Sequence, residues 1–120
     1  CLEEVCRCMR VMENLLAQLQ NQNQQLQTVL LQKQTFMIQS KEIEKALEEL
    51  EGVDDEVFRS IGPILVKTTK SKVKKELEEL KEDMDLKIKS LDRQENRLKE
   101  KMKENQERFQ DLVKGHSVAG

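Results

Sequence analysis

The sequence predicts a chain dominated by α-helix, a long antiparallel coiled-coil hairpin carrying one short β-hairpin at its closed end. Three observations lead there. Among 120 residues, 37% are hydrophobic, 37% charged and only 2% aromatic, with four Gly and one Pro; this is less apolar and more charged than a thick-cored globule. Two long stretches repeat apolar residues in alternating steps of three and four, and the segment between them breaks that period. Lys+Arg of 21 against Asp+Glu of 23 gives a net charge of -2, so capture of nucleic acid by charge is not expected.

The first stretch places Met12, Leu15, Leu19, Gln22, Leu26, Val29, Lys33, Phe36, Ser40, Ile43, Leu47 and Leu50 on one stripe. All are apolar except Gln22, Lys33 and Ser40, and a sustained 3.5-residue repeat keeps such a stripe facing a partner helix. Cys8, Val5 and Cys1 lie in the same phase. The helix is expected over 12–51, closed by Gly52 in the left-handed conformation. A second helix is expected over 72–113, with Leu77, Leu80, Met84, Ile88, Leu91, Glu95, Leu98, Met102, Gln106, Phe109 and Val113 as its stripe, and with Gly115 as its stop and 115–120 as a flexible tail.

At 1.5 Å per residue each helix would be roughly 60 Å long, which suits an antiparallel pair. Setting Leu15 against Val113 makes facing residue numbers sum to about 128 and brings Gln22 to Gln106 and Lys33 to Glu95, polar pairs that would fix the register at some cost in stability.

Between the helices, 56–68 is rich in β-branched residues around Gly62-Pro63, a dipeptide suited to a tight turn. A lone two-stranded hairpin is marginal in water. Val57, Phe58, Ile61, Ile64, Leu65 and Val66 have nothing in their own chain to cover them, so the strands are expected to join copies of the same element in an oligomer.

These residues resemble the β-type subunit of prefoldin. The likeness runs from about Met12 to Val113 and rests on the Gln-rich first helix (Leu19-Gln20, Gln24-Gln25-Leu26-Gln27, Gln32-Lys33-Gln34), on Lys45-Ala46-Leu47-Glu48-Glu49-Leu50, and on Val57-Phe58-Arg59-Ser60-Ile61-Gly62-Pro63-Ile64-Leu65-Val66-Lys67-Thr68-Thr69. The resemblance implies a prefoldin domain over 12–114 in a hetero-hexamer of two α-type and four β-type subunits, whose hairpins close an intersubunit β-barrel. It further implies an ATP-independent holdase that grips non-native polypeptides at coiled-coil tips and passes them to a group II chaperonin. Carried onto this chain, the tips are Met12, Leu15, Leu16 and Leu19 with Phe109, Leu112 and Val113. Residues 1–11 fall outside the likeness and read as an N-terminal extension, with Met9 or Met12 as the family-like start.

Other readings of the residues are weaker. A structural coiled-coil tether without clients is the rival from another class. Cys1, Cys6 and Cys8 spell C-x4-C-x-C without the spacing of a zinc knuckle or a nearby His, so no metal is expected. His116 has no partners arranged for catalysis, no phosphate-cradling Gly loop exists, and neither an enzyme nor a cofactor is expected. Lys67, Lys70, Lys72, Lys74 and Lys75 form a basic run that reads as solvated, with an acidic partner or RNA as alternatives. Apolar runs such as Val29-Leu30-Leu31 and Ile64-Leu65-Val66 are far short of the roughly 20 residues needed to span a bilayer. A cytoplasmic protein is expected, since clustered thiols fit a reducing compartment.

Overall fold

A computed structural model describes the backbone of residues 2–119 and the side chains of residues 2–115. The element order is α1 (Leu2–Glu51), β1 (Glu56–Ile61), β2 (Ile64–Thr69) and α2 (Lys70–Ala119). Both helices outrun the expected bounds. Residues 2–11 hold no Gly or Pro, keep Cys8 in phase with the stripe, and place Glu3 and Glu4 in the first turn, where carboxylates complement the helix dipole. At the other end α2 continues through Gly115 to Ala119 in place of the expected loose tail; a helical Gly costs only about 1 kcal/mol and is not by itself a stop.

The chain divides into two compact units, Cys1–Leu31 with Leu91–Gly120, and Gln32–Ser90. In the first, the start of α1 lies against the end of α2, with Leu15, Val29 and Leu91 buried. Asn105 supplies a polar layer there, its Nδ2 donating to Oε1 of Gln22 at 3.2 Å and of Gln18 at 3.3 Å. In the second unit Ile43 and Leu50 are buried, and Ser40, 8% exposed, donates its hydroxyl to Asp85 Oδ1 at 2.8 Å. Lys87 Nζ sits 5.4 Å from the centroid of the Phe36 ring, a cation–π contact. No described side chain is completely enclosed. A pair of helices offers a seam and not a thick interior.

Every stripe residue from Met12 to Leu50 is buried or half-buried, whereas Val5, in the same phase, is exposed. In α2 the buried and half-buried residues that follow the seam are Val73, Leu77, Lys81, Met84, Ile88, Leu91, Glu95, Leu98, Met102, Asn105, Phe109 and Leu112. This corrects three positions: Leu80, Gln106 and Val113 are exposed, and their neighbours Lys81, Asn105 and Leu112 take the seam. At each of them a three-residue and a four-residue step are taken in the other order, and the two series coincide again at Met84 and Phe109. Lys81 fits because its stem can lie along apolar surface while its ammonium reaches Asp85 Oδ2 at 3.0 Å. Facing groups such as Ser40 with Asp85, Glu51 with Lys74, and Gln22 with Asn105 put the register sum near 125 rather than 128.

The strands pair antiparallel from Glu56 opposite Thr69 to Ile61 opposite Ile64. Gly62 has φ of 57°, the positive value required at the first central position of a two-residue II′ turn, and Pro63 follows with the negative φ that its ring imposes. Gly52, by contrast, is not left-handed. Its N–H donates to Glu49 O at 3.2 Å and that of Val53 to Leu50 O at 3.3 Å, tightening the last turn instead. Lys70 completes this end of α1: its Nζ donates to the carbonyls of Glu51 and Val53 at 3.1 and 3.3 Å. The last turn of α1 has no basic residue of its own, so α2 supplies the cation that its carbonyls favour. Thr69 Oγ1 accepts from Lys72 N–H at 3.3 Å and caps α2.

Candidate functional site

Two surfaces carry the residues singled out by the sequence. The first is the β-hairpin. Side chains alternate along a strand and cross-strand partners share a face, so the pairing puts Val57, Arg59, Ile61, Ile64, Val66 and Thr68 on one face and Glu56, Phe58, Ser60, Leu65, Lys67 and Thr69 on the other. The first face leans toward α2. Val57 and Thr68 are half-buried and the Arg59 guanidinium pairs with Glu76. The second face is open, with Phe58 64% and Leu65 72% exposed, and with Lys67 paired to Glu56 at its root. Toward the turn both faces are apolar and uncovered, since Ile61 and Ile64 are also exposed. The sheet has two strands, which leaves one edge of each open to a further strand.

The second surface lies in the other unit, where α1 begins and α2 ends. Leu15 is buried in the seam; Met12, Leu19, Phe109 and Leu112 are half-buried; Leu16 and Val113 are exposed. The structure therefore sorts the expected tip residues into an inner layer and two outward apolar side chains. Leu2, Val5, Met9 and Val11 add further exposed apolar surface on the preceding turns of α1. The sequence marks those turns as an extension, although Val5 lies in the phase of the repeat.

The basic run has work inside the chain. Lys67 pairs with Glu56, Lys70 caps α1, and Lys74 Nζ lies 3.1 Å from Glu51 Oε1. The hydrogen bond and charge of Lys74 hold the Glu51 carboxyl below its ordinary range and raise Lys74 in return. Asp85 is lowered first by its hydrogen bond from Lys81 and then by that from Ser40. Cys6 is exposed, and Cys8 lies 4.0 Å from Met12 Sδ; Cys1 and the His116 side chain fall outside the described residues. No helix among the described residues is long and apolar enough to cross a membrane.

The heptad stripe leaves one apolar feature of α1 unassigned. Leu30, Leu31, Met37 and Ile38 are all exposed on α1, outside the stripe. The signal was present in the run Val29-Leu30-Leu31, where apolar residues continue off the heptad phase.

Comparison with known proteins agrees with this architecture. A family model described as prefoldin subunit matches residues 13–116. Curated relatives named prefoldin subunit beta include one from Archaeoglobus fulgidus, 46% identical over 104 residues that cover 85% of this chain and 90% of the relative. Another, from Pyrococcus abyssi, is 40% identical over 105 residues, covering 86% and 90%. The crystal structure of the prefoldin beta subunit from Thermococcus strain KS-1 superposes with a TM-score of 0.79 at 39% identity, over 83% of this chain and 90% of that one. The beta2 subunit of the same strain, at 19% identity and a TM-score of 0.65, shares the fold. Long helices flanking one β-hairpin, a matched domain over nearly the whole length, and relatives of the same type place this chain in the prefoldin subunit family, as a β-type member.

Proposed function

We propose that the chain is the β-type subunit of a hetero-oligomeric prefoldin that holds non-native polypeptides without ATP and delivers them to a group II chaperonin. The observation that carries the assembly step is the hairpin, apolar on both faces near its turn and open at both edges. A two-stranded ribbon with Phe58, Ile61, Ile64, Leu65 and Val66 in water is a poor free structure and a good barrel segment, because closing a sheet removes its edges and buries one face. Val57 anchors the root. Hexamer formation with α-type subunits follows the family pattern, and work in the cytoplasm fits the same reading.

Client holding belongs to the helix ends. The outward Leu16 and Val113 offer shallow apolar contact without a shaped pocket, with Met12, Leu15, Leu19, Phe109 and Leu112 forming the layer behind them. Each contact is weak, and several subunits engaging one chain raise the effective concentration to the millimolar range for short spans, multiplying affinity by about a hundredfold or more. The test is Leu16→Ser with Val113→Ser, assayed by suppression of aggregation of a chemically denatured protein. Assembly should survive and protection should fall. Full protection with the double variant contradicts client holding at these ends, and assembled protein that never protects favours a structural tether.

A further inference from the structure

We infer that Arg59 and Lys70 are positioning residues for the assembly: they brace the joint between the β-hairpin and the helices and so set the direction in which the helices leave the intersubunit sheet. This rests on the assembly reading above. All the groups concerned lie in the unit Gln32–Ser90. The hairpin is tied to the helices unequally. β2 runs straight into α2, Thr69 being followed at once by Lys70, whereas β1 is joined to α1 by the exposed link 52–55. A ribbon attached in this way swings about the Thr69–Lys70 junction unless the link and the strand face are fastened. Lys70 fastens the link. Its N–H donates to Asp55 O at 2.8 Å, and its Nζ donates to Val53 O at 3.3 Å and to Glu51 O at 3.1 Å. One residue thus holds the link at Val53 and Asp55 and the end of α1 at Glu51, where a helix favours a cation.

Arg59 fastens the strand face. It stands about 10 Å along β1 from the root at Glu56, and its guanidinium pairs with Glu76, about 9 Å along α2 from Lys70. A brace set at nearly equal distances from the junction on both arms resists swinging, which a contact at the junction itself does not. Arg59 and Glu76 are 54% and 51% exposed. Such a pair adds little to folding stability, yet it shifts the balance between hairpin orientations that lie close in energy. Glu79 and Asp83 line the same groove one to two turns further along α2, so they offer Arg59 other carboxylates at other tilts if Glu76 is removed. The brace therefore depends on Arg59 more than on Glu76. Tilt at the joint grows with distance along α2: each 20° or so moves Lys89, nineteen residues beyond Lys70, by about 10 Å. Holding one polypeptide with several subunits depends on the spacing between them, and this joint controls it.

The experiment uses the full chain assembled with an α-type subunit. A nitroxide on p-acetylphenylalanine in place of Lys89 reports distances between β-type copies by double electron–electron resonance. Arg59→Met and Lys70→Met should each broaden the wild-type distance distribution by about 10 Å, while assembly mass and helical content stay unchanged and the melting point holds within about 4 °C. Arg59→Lys and Lys70→Arg, which keep a cation at each place, should retain the wild-type width. An unchanged distribution in either Met variant overturns the inference. A larger fall in melting point, or a conservative variant as broad as its Met counterpart, also overturns it, because the side chain then serves the fold and not the direction of the joint. Loss of assembly in either Met variant overturns it as well, since the residue then belongs to a subunit contact. A wild-type chain that stays apart from the α-type subunit overturns the assembly reading itself.

Discussion

Gly62 is the most sensitive backbone position in the hairpin, and its replacement can be worked through quantitatively. Its φ is 57° and no atom lies within 4 Å of where a Cβ would stand. Gly62→Ala therefore costs only the backbone penalty of an L-residue in the left-handed region, about 1–2 kcal/mol, with no steric contribution. That corresponds to a factor of roughly 5–30 in the population of the formed turn, set against a two-stranded ribbon that is marginal to begin with. Gly62→Asn should be milder, since Asn tolerates the left-handed region better. Native mass spectrometry with an α-type partner, run against subunit concentration, reads the effect. Assembly should need higher concentration in the order Gly, Asn, Ala, while far-UV helical content holds. Equal assembly of all three would refute the argument that the turn geometry limits hub formation, and equal failure of Ala and Asn would mean that a neighbouring subunit fills the space beside Gly62.

Three further outcomes are expected. Leu91→Ala removes a side chain that is 6% exposed in the seam and should destabilise by about 2–4 kcal/mol, below the upper end for core leucines because a thin seam can collapse around the gap; thermal unfolding measures it. Ser40→Ala takes one hydrogen bond from Asp85 and should cost about 0.5–1.5 kcal/mol, whereas Ser40→Leu should raise the melting point and blur the register, seen as more than one amide resonance for residues near Asp85. Stability should hold from neutral pH down to the ordinary carboxylate range near 4 and fall below it, because the lowered carboxyls of Asp85 and Glu51 contribute stability above their unfolded pKa that is lost as they protonate; Asp85→Asn should flatten the acid limb of a pH titration of the melting point.

How far the sequence revealed this molecule depended on how much its residues disagreed with one another. In α1 the seam could be read residue by residue, because polar interruptions are few and each falls on a position held in phase by its neighbours. In α2 the same period runs through a field of Lys and Glu, and three adjacent choices were ambiguous: Leu80 or Lys81, Asn105 or Gln106, Leu112 or Val113. Hydrophobicity favoured Leu80 over Lys81 and could not separate Val113 from Leu112, yet both Leu80 and Val113 lie outside the seam. The register differs by about three because matched helix lengths alone set Leu15 against Val113, whereas side-chain partners such as Ser40 with Asp85 and Glu51 with Lys74 set it in the structure. Gly62 announced its turn through the following Pro63, while Gly52 and Gly115 looked like helix stops and neither acts as a left-handed cap. The role of Lys70 could not be read at all, since a lysine in a basic run gives no sign that the carbonyls of another helix end within its reach. Of the candidate surfaces, the hairpin apolars stood out because a two-stranded element cannot cover them. The division of the helix ends into buried Leu15 and outward Leu16 required coordinates.

The uncovered hairpin is the element by which we propose that this chain joins other prefoldin subunits. Native mass measured on the full chain mixed with an archaeal α-type subunit, for the wild type and for Ile64→Asp with Val66→Asp, tests it most directly. The expected result is a discrete hetero-oligomer of two α-type and four β-type chains for the wild type, and dispersed subunits of full helical content for the variant. A wild-type chain that stays monomeric beside its partner, or a variant that still assembles at the same mass, would contradict it.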